Sequence, residues 1–576
     1  MKTFSRRDFI KLSAVAVGGI MVASCRREDI VRVTATPAAA PTPRPALTLA
    51  PGTSADMILL NGNIITMDRA DSIVQAVAVK DGLVLQTGAT DAIRALAGSN
   101  TKIVDLRGKT VTPGLIDAHN HLQGWGTMLK LKVPFLPPEV KTMDDLVAKL
   151  KATVAQTQPG EWIQGYFFTI DPPPTRAQLD PVSPNNPVWL EQQGGHYASA
   201  NSAAMKIAGI TAQTKNPEGG IIVRDDKGNP TGAFYNHRAM DLVRAYMPQP
   251  TPQDIAASLK AAEMKMAEVG VTTFHDCNVR FNAIQGYLEA GHANAMTLRS
   301  QIFYTLEWPA DLDRALNQVE RIDGEYMRFA GYKFLIDGQF PTWYTHEPHE
   351  GISWNMPTWN PNQFKQTVKA LHDSGLQISV HCGGDASSDL VLDAYEAAMK
   401  ANPRPDPRHR IEHGTLTSKE MPKRAADLGV VVSTQPQFVR IAGNLPEKLG
   451  AERAKRVMVT RDWMNAGVKL ALGSDTPTSP WQAPSVTLAQ SVLRLDQYDK
   501  PFNPEQALTI QEALRAHTMG SAYAAFEENV KGSLEPGKMA DLSVWSDNIY
   551  SIKPVEILQT KIEMTMVSGK VVYQKA

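Results

Sequence analysis

Two histidines, His119 and His121, stand one residue apart at the end of an apolar run, a spacing that can bind a metal ion. In a β-strand, residues i and i+2 point to the same side, so both imidazoles would face one point. Such a pair is weak evidence for a metal site on its own, because many pairs of this kind are ordinary polar residues. The pair therefore matters only if further ligand types reach the same place.

Further metal-ligand residue types follow other apolar runs. Lys333 lies within one such run, whereas His381, His413 and Asp475 each close one. Imidazoles and a carboxylate are the expected ligands of zinc-like cations. The pattern predicts one or two divalent ions, with Zn²⁺ favoured and Mn²⁺ or Fe²⁺ as alternatives. The competing interpretation is a set of buried histidines scattered through the core.

The elements that must position these residues are eight short β-type runs that alternate with amphipathic stretches. They span 111–119, 270–276, 300–306, 332–337, 376–381, 409–414, 429–435 and 468–475. This alternation is typical of βα units around a parallel sheet, and eight units predict a (β/α)8 TIM-like barrel, an α/β fold, over 111–525. Chemistry in such barrels is built at the C-terminal strand ends, where all but Lys333 of these residues fall.

The gap between the first and second runs is too long for one loop and one helix. It predicts an inserted subdomain at about 122–250, after barrel strand 1 and on the active-site side. Outside the barrel, 55–110 and 526–576 hold short β-rich runs separated by glycine-containing turns. Neither end has enough strands for an independent sheet, so we expect both ends to pair into one small β-sandwich.

The start of the chain predicts export. The pair Arg6–Arg7 precedes the apolar run Leu12–Ser24, which is too short to span a bilayer and favours a signal peptide over 1–24. This segment resembles a twin-arginine signal that ends in a lipobox, VASC, with Cys25 as the lipidated residue. We expect a lipid anchor on the outer side of the cytoplasmic membrane, or a periplasmic location. The alternative is cleavage of an ordinary signal peptide beside a cysteine that is not lipidated. Residues 25–54, which are rich in Pro, Ala and Thr, are expected to be a tether.

Composition excludes several classes of protein. The 576 residues contain 59 Lys plus Arg and 59 Asp plus Glu, so the formal charge is zero. Nothing in this balance argues for nucleic acid or for a strongly charged partner. The expected partner is a small-molecule substrate. Three cysteines do not form a disulfide framework. Oligomeric state stays open, with a homo-oligomer possible.

The order of the motifs adds a resemblance. PGLIDAHNHL, YKFLIDG, VHCGGDA, RIEHG, STQPQF, LGSDTP and SLEPGKMADLSVW resemble the metal-dependent amidohydrolase superfamily over roughly 55–576. Within it, the chain is similar to the amidohydrolase family 3 group that includes N-substituted formamide deformylases. The resemblance implies a first, buried ion on His119, His121 and Asp475. It implies a second ion on His381 and His413.

The resemblance also implies that Lys333 is carboxylated and bridges both ions. A lysine ammonium beside two cations is unfavourable, whereas a carbamate offers two metal-binding oxygens. The predicted reaction is attack of metal-activated water on a carbon–nitrogen bond of an amide, formamide or cyclic amide. Asp475 would transfer the proton, and His413 could help to hold the developing oxyanion. Heterocycle deamination and a lipid-anchored binding protein are the alternatives.

Substrate-binding candidates lie in loops. His196 and Asn201 belong to a segment, GGHYASAN, that resembles a pocket segment of the family. Asp385 could bind substrate or buttress a loop. Trp343 could belong to an apolar wall or only pack the insertion, as could the other loop aromatics Tyr344, Trp354, Phe438 and Trp481. The aromatic sequence of the loop after the fourth run differs from that of close relatives. This difference puts formamide substrates in doubt.

Residues next to the ligands could orient them. Asp117 precedes His119 by two positions and could hold a ligand histidine. Strand alternation predicts that Glu412, beside His413, points away into the barrel wall. The histidine at 275 is expected to be structural, and Cys277 and Cys382 are expected to be small buried fillers.

Overall fold

The computed structural model describes residues 50–293, 295–318, 321–349, 355–478 and 483–576. The predicted signal, Cys25 and nearly all of the tether lie outside the described residues, as do Trp354 and Trp481. Within the described ranges, no helix has the length and apolar character needed to cross a bilayer.

The strands fall into five groups along the chain. Seven precede the barrel: β1 (Ala55–Leu60), β2 (Asn63–Ile65), β3 (Ile73–Val74), β4 (Ala76–Lys80), β5 (Leu83–Gly88), β6 (Ala97–Asp105) and β7 (Thr110–Pro113). The first barrel strand is β8 (Leu115–Asn120), and the insertion adds β9 (Val133–Pro134), β10 (Ile163–Phe168), β11 (Val188–Gln192), β12 (Tyr197–Ala200), β13 (Ile221–Arg224) and β14 (Pro230–Tyr235). The barrel continues with β15 (Val271–Val279), β16 (Arg299–Thr305), β17 (Met327–Leu335), β18 (Gln377–Cys382), β19 (Arg410–His413), β20 (Val431–Thr434) and β21 (Leu470–Leu472). Three strands follow it: β22 (Leu542–Trp545), β23 (Ile562–Val567) and β24 (Lys570–Gln574).

The helices lie between these strands. They are α1 (Thr90–Arg94), α2 (Leu122–Leu131), α3 (Met143–Val154), α4 (Arg176–Leu179), α5 (Ser202–Ile207), α6 (Asn236–Arg244), α7 (Pro252–Ala267), α8 (Ile284–His292), α9 (Leu312–Asn317), α10 (Pro361–Asp373), α11 (Asp385–Ala401), α12 (Met421–Asp427), α13 (Leu445–Leu449), α14 (Ala451–Ala454), α15 (Thr460–Asn465), α16 (Pro484–Leu493), α17 (Ile510–Arg515) and α18 (Ser521–Ala524). Short 3-10 turns occupy Pro309–Asp311, Pro436–Ile441, Pro504–Gln506 and Glu556–Gln559, and Ala516–Gly520 forms a π-helical turn.

The barrel is an eight-stranded parallel sheet in which β8 and β15–β21 follow one another in chain order. Each of the eight predicted runs overlaps one of these strands, although the first run, 111–119, also includes most of β7. The ring is nearly closed between its first and last strands, where the Asp475 N–H donates to the His119 carbonyl at 2.7 Å. The predicted α/β class and (β/α)8 barrel are therefore confirmed.

Burial on both faces explains why these segments form parallel strands. All residues of β8, β16 and β18 are buried, which matches the continuous apolar runs of a sheet covered by helices. Outer helices supply the cover. For example, α10 starts at Pro361 after the Asn360 N-cap and places Phe364 edge-on against Phe334 of β17, with ring centroids 5.6 Å apart.

The chain ends form two sheets on a shared core. One sheet has the order β24-β23-β22-β7-β2-β3 and combines both ends, with β22 antiparallel to β7. The other, β5-β4-β1-β6, comes from the N-terminal end alone. The expectation that neither end has enough strands for its own sheet is therefore wrong for that end. Apolar side chains of both sheets, such as Leu59, Val77 and Leu542, pack into one cluster.

The insertion is a six-stranded sheet of its own, in the order β13-β14-β12-β11-β10-β9. Apolar cores lie on it, one around Trp189 and Phe234 and another around Phe135 and Leu190. The turn between β11 and β12, residues 193–196, faces the barrel mouth, because its residues line the same cavities as the barrel histidines. The insertion thus supplies part of the site.

A buried ion pair joins the barrel to the terminal sheets. Arg299 of β16 donates to Asp541, just before β22, at 2.9 Å and 3.3 Å, and the two side chains are 2% and 4% exposed. We predict that Asp541→Asn destabilises the fold by about 1.5–3 kcal/mol, because the buried guanidinium loses its charge-assisted hydrogen bonds to Asp541 and keeps only the part-exposed Glu325, 3.2 Å away, as a counter-charge. Urea unfolding measures this change. The exposed Asp226→Asn is the control, expected within about 0.5 kcal/mol of the unchanged protein, and equal stability of the two variants would contradict the prediction.

Candidate metal centre and active site

Three of the predicted ligands meet at one point of the barrel mouth. The potential ligand atoms of His119, His121 and Asp475 all lie within 4.8 Å of one another. The Oδ1 atom of Asp475 is 3.0 Å from His121 Nε2 and 3.4 Å from His119 Nε2. His119 is in β8, His121 is the N-cap residue of α2, and Asp475 follows β21.

The chemistry of this cluster fits a cation. Both His119 Nε2 and Asp475 Oδ1 are buried, and neither has a hydrogen-bond partner among the described residues. An unsatisfied buried polar atom costs free energy, and two imidazoles beside a carboxylate form a common zinc ligand set. The residues present therefore fit a divalent metal ion.

A buried chain of hydrogen bonds orients the first histidine. His119 Nδ1 lies 2.5 Å from Glu412 Oε2, and Arg410 donates to the Glu412 carboxylate at 2.6 Å and 3.0 Å. Burial alone would favour the protonated acid, but the Arg410 charge keeps the pKa of Glu412 well below its usual range. An ionised Glu412 therefore accepts a hydrogen bond from the Nδ1–H of His119, which leaves the Nε2 lone pair of His119 on the side of Asp475.

This contact corrects the prediction that Glu412 points into the barrel wall. His413 has a backbone φ of +70°, a left-handed conformation that interrupts the extended alternation of β19. Both Glu412 and His413 can therefore approach His119, whose ring centroid is 4.6 Å from that of His413. Asp475 also has positive φ, +55°. Such strain is uncommon outside glycine and is concentrated at functional sites.

The other predicted ligands lie beside this cluster. The ring of His381 is 4.5 Å from that of His413, and Lys333 of β17 is buried and lines the same cavity. Burial lowers the pKa of His413 to about 3, so its imidazole is neutral near neutral pH. Its Nδ1–H donates to Gln435 Oε1 at 2.6 Å, which leaves the Nε2 lone pair available.

The turn that carries Asp475 is anchored from the first barrel strand. Asp117 accepts hydrogen bonds from the Ser474 backbone N–H at 2.8 Å and from its hydroxyl at 2.6 Å. Asp117 thus fixes the turn that carries a ligand, rather than the ring of a ligand histidine.

Two cavities adjoin the cluster. The apolar cavity has a volume of about 290 Å³, and its walls include Phe340, Trp343, Phe438 and Leu445. The polar cavity has a volume of about 120 Å³ and is lined on its far side by Glu191, His237, Arg244 and Asn278. His196, His381, His413 and Asp475 line both cavities. Of the predicted substrate residues, His196 and Trp343 therefore lie at the site, and burial lowers the pKa of His196 to about 4.

Two of the predicted substrate-binding residues have other roles in the structure, and for Asp385 this is the loop-buttressing alternative. Asn201 is the N-cap residue of α5: its side chain accepts from the Val188 and Ala204 N–H groups and donates to two carbonyls. Asp385 accepts from the His346 and Ala386 N–H groups and ties the loop after β17 to α11. Neither residue is among the described residues that line the two cavities. Asn201 is occupied by capping and Asp385 by loop anchoring.

Several residues at the site were not predicted. Asp337 accepts N–H groups of Tyr344, Gly383 and Gly384, and burial raises its pKa to about 7. It joins the loops that follow β17 and β18, and its place in the LIDG segment was the available signal. Gln435, which holds His413, stands in the STQPQF motif. The polar-cavity residues of the insertion carry no recognisable motif.

The chain is similar to several known proteins. A model of the amidohydrolase family matches residues 102–573. Protein LONG AFTER FAR-RED 3 of Arabidopsis thaliana is 32% identical over 92% of this chain and 93% of its own length. N-substituted formamide deformylase of Arthrobacter pascens is 29% identical over 90% of this chain and 98% of its own. An uncharacterized metal-dependent hydrolase from Pyrococcus horikoshii OT3 superposes with a TM-score of 0.70 and 24% identity, over 87% of this chain and 99% of that one.

Removing the Glu412 charge tests how the site holds a cation. We predict that Glu412→Gln lowers zinc affinity by about 10- to 100-fold, because the His119 ring loses the carboxylate that orients it. Competition with a chromophoric chelator measures the dissociation constant. The exposed Glu447→Gln serves as control and should bind zinc like the unchanged protein. Equal affinity of both variants would show that Glu412 does not support the site.

Proposed function

Because this chain belongs to the amidohydrolase family and is an enzyme of that family, we propose that it hydrolyses carbon–nitrogen bonds other than peptide bonds with a divalent metal. The observation that carries the proposal is the convergence of His119, His121 and Asp475 at the barrel mouth, with unpartnered ligand atoms facing one another. Amides, formamides and cyclic amides are the proposed substrates. The formamide-hydrolysing relative supports this class of bond.

The proposed ligands divide into two sets. His119, His121 and Asp475 would hold the first ion, whereas His381 and His413 would hold a second, bridged to the first by Lys333 after carboxylation. Zinc is the ion we propose, because imidazoles dominate the ligand set. A divalent cation in this position supplies Lewis-acid polarisation of the substrate carbonyl and makes water acidic enough to attack near neutral pH.

Asp475 is the proposed proton carrier. Burial favours its protonated form, but the neighbouring His119 and His121 hold the pKa of Asp475 well below its usual value. The carboxylate is therefore ionised at neutral pH and can accept a proton from the attacking water. Asp475 lines both cavities, so it faces each side of a substrate bound between them. The same carboxylate can pass the proton to the leaving nitrogen.

His413 is better suited to bind metal than to hold an oxyanion. Its one proton is on Nδ1 and donates to Gln435, so Nε2 presents a lone pair towards the centre. A lone pair binds a cation but repels a developing negative charge. His196 is neutral and has its ring 5.0 Å from His381, so it is the histidine we propose for contact with the carbonyl oxygen.

The apolar cavity defines the substrate further. Phe438 lies parallel to the His413 ring, at 5.9 Å and 17°, and Phe340 packs edge-on against Trp343. Burying apolar surface stabilises a complex by about 25 cal/mol per Å². We propose that an aromatic or branched aliphatic substituent of the substrate occupies this cavity, beside the bond that is cleaved.

Replacing the proton carrier tests the mechanism. We predict that Asp475→Asn lowers kcat at least about 100-fold, because the amide cannot accept a proton, a role worth about 10²–10⁴ in rate. Assays of N-formyl and N-acyl aromatic amines, with amine and ammonia release measured separately, give the rate and distinguish hydrolysis from deamination. Elemental analysis must accompany each assay, and Asp226→Asn is the control. A metal-loaded Asp475→Asn with the original rate would exclude Asp475 as the proton carrier.

We also propose that the enzyme is exported and held at the membrane by lipid on Cys25. The support is the arginine pair and the lipobox-like VASC in the sequence. Lipidation with more than one chain gives stable anchoring. We predict that Cys25→Ser moves the protein from the membrane fraction to the soluble fraction after cell fractionation. Arg6→Lys with Arg7→Lys should instead block export, and retention of Cys25→Ser on membranes would contradict the lipid anchor.

A further inference from the structure

A larger space adjoins the polar cavity. This outer cleft has a volume of about 710 Å³ and shares Gly124, Met128, Glu191, Arg244 and Asn278 with the polar cavity. Its outer rim includes Leu131, which is 48% exposed, and the exposed loop residues 248–249. The polar cavity therefore adjoins the metal cluster on one side and the outer cleft on the other.

Six charged side chains along this route form ion pairs with one another. Glu191 lies 3.2 Å from Lys132 and 3.0 Å from Arg244. Further out, Arg280 lies 2.7 Å from Glu307 and 3.3 Å from Asp241. Because these charges already have partners, they attract a dissolved ion less than unpaired charges would. Weak binding is expected of a route through which small polar molecules pass, and it is not expected of a site that retains them.

Hydrolysis needs such a route. The reaction breaks the C–N bond, forms a C–O bond with water and transfers a proton from water to nitrogen, so water must enter and a carboxylate must leave. If an apolar substituent of the substrate fills the apolar cavity, neither water nor the carboxylate can pass through that cavity. A carboxylate is poorly solvated among Phe340, Trp343 and Leu445.

We propose that the polar cavity and the outer cleft form one passage that admits water to the metal centre and releases the small carboxylate product. The substrate's apolar substituent stays in the apolar cavity during this exchange. This inference rests on the proposed amide hydrolysis, and it assigns opposite sides of the site to the apolar and the charged product.

Gly124 is the residue at which the passage can be closed. It lies in α2 and lines both the polar cavity and the outer cleft. A Cβ atom built on Gly124 meets no heavy atom within 4 Å, so a side chain there extends into open space. Met128 lies one helical turn further on the same face and lines the same two spaces.

The test compares Gly124→Trp with the matched control Gly124→Ala. We expect Gly124→Ala to keep kcat within twofold, since a methyl group leaves the passage open. Gly124→Trp should lower kcat at least tenfold for an N-acetyl aromatic amine, with unchanged zinc content and Tm. If Gly124→Trp does not fold, Met128→Trp replaces it, with Met128→Leu as its control.

A second measurement does not depend on turnover. Dipicolinate, a small anionic chelator, should remove zinc from Gly124→Trp at least tenfold more slowly than from Gly124→Ala. Equal rates of zinc extraction from the two variants would contradict the proposed passage. Absence of amide hydrolysis by the unchanged enzyme would overturn the proposed function instead, and the extraction rates would still decide whether the passage exists.

Discussion

The hydrogen bond between His119 and Glu412 is the interaction on which the site depends. It crosses the barrel interior, because His119 is in β8 and Glu412 is in β19, and these strands are not neighbours in the sheet. Both side chains are fully buried, so an ionised carboxylate is tolerated only because Arg410 lies against it. A ring of parallel strands that nearly closes is what brings the two residues within 2.5 Å of each other. The orientation of His119, and with it the ligand set, follows from that closure.

Much of the fold could be predicted because buried parallel strands leave a plain signal. Each strand of the barrel is a short apolar run, and the ligand residues could be recognised because polar types interrupt those runs at or near their C-terminal ends. The insertion could be predicted from the length of the gap after β8. The four-stranded N-terminal sheet could not, because the parallel pairing of β1 with β6 joins segments separated by the β4–β5 hairpin and α1.

The errors at the site have physical causes. Glu412 was placed on the wrong side because strand alternation assumes extended backbone, and the positive φ of His413 cannot be read from residue type. Asn201 has the same residue type whether it binds a ligand or caps a helix, and only the structure shows four hydrogen bonds to its side chain. Arg244 and His237 escaped prediction because the insertion folds over the barrel mouth, a tertiary contact without a local pattern.

The central claim is that side chains from separate strand ends converge on one cation. Anomalous X-ray diffraction at the zinc edge, from crystals of the zinc-loaded protein, measures this most directly. The account predicts an anomalous peak within direct coordination distance of His119, His121 and Asp475 together. Zinc-loaded crystals with their peak elsewhere, or with one of these three residues turned away from it, would contradict the account.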